Sequence, residues 1–208
     1  MCLRCSLYRE YEAGMVWDMS YRIVVDSCGE FTEEMERDPH FVHVALRLNI
    51  DGEEFVDDET FDRLNFLKKM KASPNCPKSS CPSPEAYREA YDCGAAHLYA
   101  VTLSAELSGS FNSAELGKSL YLEDHPEGKV HVFNSCSASI GETRIAQKIQ
   151  ECEEAGMDFE AVVKTVEDFI LNMHTYFVLE SLDNLRKNGR LSGVKALVAS
   201  ALNIKPFM

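Results

Sequence analysis

The chain has 208 residues, 45% of them AVILMFWYC and 26% charged, enough apolar material for one core or for one core and part of another. Its formal net charge of −13 excludes the basic face that nucleic-acid phosphates require, and it would repel an anionic membrane surface. No run reaches the roughly 18 apolar residues of a membrane span.

The N-terminus, MCLRCSLYREYEAGMVWDMS, lacks the apolar stretch of a secretory signal, so a cytoplasmic protein is expected. A cytosolic chain holds its eight cysteines as thiols. Cys2 and Cys5 form a lone CxxC pair without a second pair or a suitably spaced histidine, and no metal is expected. The first nineteen residues show no period, and the folded pattern begins after Met19-Ser20. Residues 1–19 therefore read as a leader, either loose or a misplaced start.

YRIVVDS reads as a short buried strand ending in an acid and a hydroxyl. Val42, Val44, Leu46, Leu48 and Ile50 alternate as in a single half-buried strand. Asp51-Gly52 predicts a hairpin turn, with EEFVDD returning. Phe61, Leu64, Leu67 and Met70 recur at helical spacing, so TFDRLNFLKKM is predicted to be an amphipathic helix. A loop, SPNCPKSSCPSP, leads to Ser83 as N-cap and Pro84 as first residue of the helix EAYREAYDCG. HLYAVTL is the next strand, SAELSGS a turn, and FNSAELGKSLYL a helix. HPEG turns into the strand KVHVF, NSCSAS opens a long helix toward Gly156, and DFEAVVKTVEDFILNM is a further helix. YFVLESLDNLRKNGRLSG holds a short strand and a helix stopped at Gly189, and LNIKPFM begins another strand.

Strands alternating with helices of ten to sixteen residues predict parallel βαβ units in a layered α/β fold. In such sheets ligands sit beyond the carboxyl ends of the strands. Three hydroxyl-bearing clusters fall there: Asp26-Ser27, Ser104 to Ser110, and Asn134-Ser135.

Ser108 and Ser110 flank Gly109 where a strand gives way to a helix. Glycine admits a ligand close to the backbone, and the helix start offers free N–H groups and a partial positive charge. The same serines could simply cap the helix. Ser79 and Ser80 are equally open: they suit an anion, or they bond their own loop. Catalytic patterns are poorly supplied, since GxSxG and the P-loop lysine motif are both missing. His43, His97 and His131 lie in predicted strands and read as structural.

The order of the motifs is more telling. IVVDSCGEF, VALRLNIDGEEFVDDE, KSSCPSPEAYREAY, LSAELSGSFNSAELG, VHVFNSCSASIGE, LDNLRKNGRLSG and LNIKPFM follow one another from Tyr21 to Met208. The series resembles the DegV family of bacterial fatty-acid-binding proteins, whose usual forms are DST, TSQPSP, LSGTYxSA, GGRIS and LxIKP. The resemblance implies an α/β fold with a parallel-sheet first domain at 20–156 and part of a second α/β domain at 157–208. The family continues well past IKP, so the second domain is expected to be incomplete.

Carried over residue by residue, the resemblance implies that Ser79, Ser80, Ser108 and Gly109 hold a fatty-acid carboxylate, with Arg190 close to the head group. Asp26, Ser27, Ser110 and Ser135 stand behind them. The acyl chain would lie in an apolar tunnel between two domains. A separate fatty acid kinase subunit would phosphorylate the carboxylate to an acyl-phosphate for phospholipid synthesis, leaving this chain a carrier with no cofactor and no catalysis of its own. Serines replace family threonines at Ser79 and Ser110, Cys28 replaces the threonine of DST, Cys81 the glutamine of TSQPS, and Asn188 the first glycine of GGRIS. Two other readings stand beside the carrier. An enzyme acting on a small phosphorylated or carboxylated substrate would show turnover and a polar pocket. An interaction domain would be soluble only with detergent and would take up no lipid.

Overall fold

The computed structural model describes residues 19–178 and Lys187. In chain order its elements are β1 (Tyr21–Asp26), α1 (Glu33–Arg37), β2 (Phe41–Val44), β3 (Arg47–Ile50), β4 (Glu53–Val56), α2 (Arg63–Ala72) and β5 (Lys78–Ser80). There follow α3 (Pro84–Tyr91), β6 (His97–Thr102), α4 (Ser110–Asp124), β7 (Lys129–Asn134), α5 (Ile140–Glu154) and α6 (Phe159–Asn172). These residues fall into two units, one of 19–46 with 80–173, the other of 47–79 with 174–178 and Lys187. The leader up to residue 18, the helix ending at Gly189, Arg190 and the LNIKPFM strand lie outside the described residues.

In the first unit Ile23, Val24 and Val25 are fully buried, because β1 is an inner strand of a parallel sheet covered on both faces. The order is β2-β1-β6-β7, every pair parallel. Alternate side chains feed two cores. Ile23, Val25, Tyr99, Val101 and Phe133 pack with Ile145 and Ile149 of α5 and Val162 and Val166 of α6. Val24, Leu98, Ala100 and Val132 pack with Tyr87, Tyr91 and Ala114 of α3 and α4. The result is a three-layer α/β/α unit. The expected boundary after residue 156 does not coincide with this division, since α6 belongs to the first unit's core through Phe159, Val162 and Val166.

Register aligns the strand ends: Asp26 pairs with Val44, and Thr102 with Asn134. One carboxyl edge thus carries Asp26, Thr102 and Asn134 together.

The single strand expected over 42–50 is two strands in two sheets. Val44 closes the parallel sheet, the Leu46 N–H donates to Ser27 Oγ at 3.0 Å, and Arg47–Ile50 then pairs antiparallel with β4. Alternation reports a buried face but not which sheet buries it. The hairpin turn holds as expected, with φ of 53° at Asp51 and 85° at Gly52. The α2 helix presents a different face from the one its spacing suggested. Phe66 is buried among Phe55 and Phe61, whereas Leu64 is 70% exposed. Lys78–Ser80, expected in a loop, forms the third strand of the order β4-β3-β5.

Candidate functional site

The site begins where β1 ends. Asp26 is fully buried; its Oδ2 accepts the Leu103 N–H at 2.9 Å and its Oδ1 accepts the Cys28 N–H at 3.1 Å. One carboxylate therefore fixes its own turn and the loop that follows β6. That loop is further pinned to the β7 turn. The Ser104 N–H donates to the Ser137 carbonyl at 2.8 Å, and the Ala105 N–H to Asn134 Oδ1 at 3.0 Å. The N–H groups of Leu107 and Ser108 both donate back to the Ser104 carbonyl, which turns the chain into α4.

Gly109 is the N-cap of α4 and supplies no capping side chain. Ser108 is half-buried and Ser110 fully buried, with their Oγ atoms 3.1 Å apart and the Ser110 N–H donating to Ser108 Oγ at 3.2 Å. A Cβ at Gly109 would sit a tight 3.3 Å from Cys81 Sγ. Ser113 Oγ donates to the Pro82 carbonyl at 2.5 Å, so the turn after β5 is seated on the first turns of α4. Ser83 caps α3 through the Ala86 N–H at 3.2 Å, with Pro84 at the first helical position. The structure thus brings Cys81 and Pro82 to Gly109 and Ser113. Ser79 and Ser80 are exposed residues of β5.

The remaining candidates have local duties. Ser135 Oγ donates to the Ser137 carbonyl at 3.1 Å and accepts the Ser137 N–H at 3.0 Å, so it shapes its own turn. Ser27 receives the Leu46 N–H. The three strand histidines are all partnered: His43 Nε2 lies 2.9 Å from the Gly29 carbonyl, His97 Nδ1 2.8 Å from Glu153, and His131 Nε2 3.3 Å from Glu167. The second unit carries an open hollow lined by Asn49, Asp51, Asn75, Cys76, Lys78 and Lys187.

Glu142 was missed. It lies on the first turn of α5, fully buried, its Oε1 accepting the Ser139 N–H at 3.1 Å, and it faces Asp26. Burial first, then the charge of Asp26, push the Glu142 carboxyl up to about 10. Burial raises Asp26 as well, against the opposing pull of the Leu103 and Cys28 N–H groups and the side chains of Glu142 and Ser110. Burial and Glu142 push the Cys28 thiol up to about 12. Two carboxyls at such a spot cannot both ionise at neutral pH, so the pair keeps a proton. Among the described residues, Asp26, Cys28 and Glu142 are the group whose potential ligand atoms lie within 4.8 Å of one another. A cation there would first have to displace the protons that burial holds on Glu142 and Cys28. The sequence signal for Glu142 was the S-x-x-E pattern of Ser139 and Glu142, which marks a helix start and says nothing of burial.

A parallel α/β unit with hydroxyl-bearing turns at one carboxyl edge describes a ligand-binding class of fold. The family model described as "Uncharacterised protein, DegV family" matches residues 20–208. A DegV domain-containing protein of Streptococcus pneumoniae is 37% identical over 189 residues, covering 90% of this chain and 67% of that protein. The chain belongs to the DegV family.

Solved structures agree. A DegV family protein from Ruminococcus gnavus, described with vaccenic acid, is 60% identical with a TM-score of 0.85, covering 92% of this chain and 68% of that one. The Streptococcus pneumoniae Fatty Acid Kinase (Fak) B3 protein loaded with linoleic acid is 36% identical with a TM-score of 0.80, covering 91% and 68%. A fatty-acid-binding DegV family protein from Thermus thermophilus is 28% identical with a TM-score of 0.76, covering 91% and 67%. Among the described residues, no helix is long and apolar enough to cross a membrane.

Proposed function

We propose that this chain binds a long-chain fatty acid. The carboxylate is held by Ser79, Ser80, Ser108 and Gly109, with Arg190 near the head group, and the acyl tail lies in an apolar tunnel. The chain presents the acid to a fatty acid kinase subunit, which forms the acyl-phosphate; the chemistry resides in that partner, within the cytoplasm.

The observation that carries this reading is the Ser108–Gly109–Ser110 start of α4. It combines hydroxyl donors, a helix N-terminus and a glycine approach, in a chain 60% identical to a protein described with vaccenic acid. Energetics support a lipid. Burying sixteen carbons at about 0.8 kcal/mol per methylene yields roughly 12 kcal/mol before ordering terms, so the head group has only to be oriented. Neutral hydroxyls and amides do that without the desolvation penalty of a buried ion pair.

Native mass spectrometry of the purified protein tests the reading. A mass increment equal to a long-chain fatty acid, released by organic extraction, is expected. Refusal of added oleate, together with turnover of a small phosphorylated or carboxylated compound, would establish an enzyme instead.

A further inference from the structure

Glu142 and Asp26 have no exposed surface, and Glu142 Oε2 is buried without a well-formed hydrogen bond, with the Asp26 carboxyl and the Cys28 thiol beside it. Placed against a second carboxyl, that oxygen is satisfied by a proton lying between the two acids. Asp26 then collects four groups from separate parts of the chain: the Cys28 N–H of its own turn, the Leu103 N–H after β6, Glu142 of α5 and Ser110 of α4. Cys28 and Tyr87 are the other titratable side chains turned toward the pair, both neutral thiol or phenol in this buried setting. Ser110 in turn holds Ser108 by two contacts, Oγ to Oγ at 3.1 Å and N–H to Oγ at 3.2 Å. Ser139, whose N–H donates to Glu142, is held at φ 55° and ψ −121°, a backbone conformation costly for a residue with a Cβ. Strain retained at this point fits a network that over-determines its members.

We infer that the Asp26–Glu142 acid pair, sharing one proton, is a positioning device for the head-group serine. Asp26 takes the hydroxyl proton of Ser110, which leaves the Ser110 oxygen as an acceptor and fixes Ser108 Oγ in place. A ligand oxyanion arriving at Ser108 then has only to turn one hydrogen from Ser110 to itself, and no heavy atom moves. The inference rests on the fatty-acid reading and names the residues that set the geometry of the same site.

Displacement of a fluorescent anthroyloxy fatty acid by oleate, measured on the folded protein with melting temperatures in parallel, tests it. Asp26→Asn opposes an NH2 group to one of its four donors and lowers affinity roughly tenfold, the effect of one hydrogen bond. Ser108→Ala lowers affinity by a similar factor, and the double variant loses little more than Ser108→Ala alone, because both act through one contact. Glu142→Ala weakens binding, and Glu142→Gln, whose amide donates to Asp26 as the protonated acid does, restores it to within about twofold. Ser110→Ala keeps the acid pair, removes the hydroxyl that joins it to Ser108, and repeats the tenfold loss should Asp26→Asn fail to fold. Full additivity of Asp26→Asn with Ser108→Ala overturns the inference, as does wild-type affinity in Ser110→Ala, or equal losses in Glu142→Gln and Glu142→Ala. Failure of the unmodified protein to bind the probe overturns the fatty-acid reading itself, and the inference with it.

Discussion

Gly117 lies in the middle of α4, where glycine is a poor helix former, and replacement by alanine would ordinarily stabilise the helix by about 1 kcal/mol. The packing reverses that sign. A Cβ at Gly117 would meet the Pro84 carbonyl oxygen at 2.6 Å, Tyr87 Cβ at 2.7 Å and the Arg88 nitrogen at 3.2 Å. Two of the three atoms are backbone of α3 and the third is fixed to it, so no side-chain rotation relieves the contact; α3 has to move off α4. Overpacking of this kind costs about 1–3 kcal/mol, and the upper end applies where backbone is the obstacle. After the propensity gain, Gly117→Ala is expected to destabilise by roughly 2 kcal/mol. Urea unfolding followed by circular dichroism reads this as a lower midpoint with unchanged slope. Because Ser113 ties the same part of α4 to the Pro82 turn, the variant should also weaken fatty-acid binding. A midpoint equal to or above that of the unmodified protein would refute the close-packed α3–α4 contact.

Glu142 gives a pH test. Its carboxyl titrates near 4.5 unfolded and at about 10 folded, so the folded state binds the extra proton and stability falls as pH rises between those values. Glu142→Gln lacks that proton exchange, so its melting temperature should gain on the unmodified protein from pH 5 to pH 9; a constant difference would contradict the buried acid. Asp158→Ala removes the acceptor that the Ala161 N–H finds at 2.9 Å, and α6 should lose about 1 kcal/mol in thermal unfolding. Iodoacetamide at pH 8 should label exposed Cys136 at least tenfold faster than Cys28, whose thiol burial and Glu142 hold protonated, as peptide mass spectrometry would resolve. Equal rates would place Cys28 at the surface.

The parallel sheet was legible because YRIVVD, HLYAVT and KVHVFN are short apolar runs that alternate with helices, one of them marked by Ser83 with Pro84 at its start. The serine turns after β6 and β7 were legible for the same reason, since strand ends and helix starts are marked locally, whereas Ser79 and Ser80, expected in a loop, lie in β5. The split of residues 42–50 was not. Both halves alternate alike, and the chain leaves the first sheet where the Leu46 N–H meets Ser27 Oγ. The rotation of α2 escaped because three phenylalanines packing on one another outweigh a periodic leucine stripe. Asp26 and Glu142 are more than a hundred residues apart, and their meeting is a product of topology. Nothing in the local spelling of Ser139 to Glu142 separates a solvated capping acid from a buried one.

Carbon-13 NMR of oleate labelled at the carboxyl carbon locates the head group that the proposed function puts at the start of α4. One bound resonance is expected, distinct from free oleate, that shifts and broadens in Ser108→Ala while the protein stays folded. A bound resonance left untouched by that substitution and by Ser79→Ala and Ser80→Ala would put the head group elsewhere.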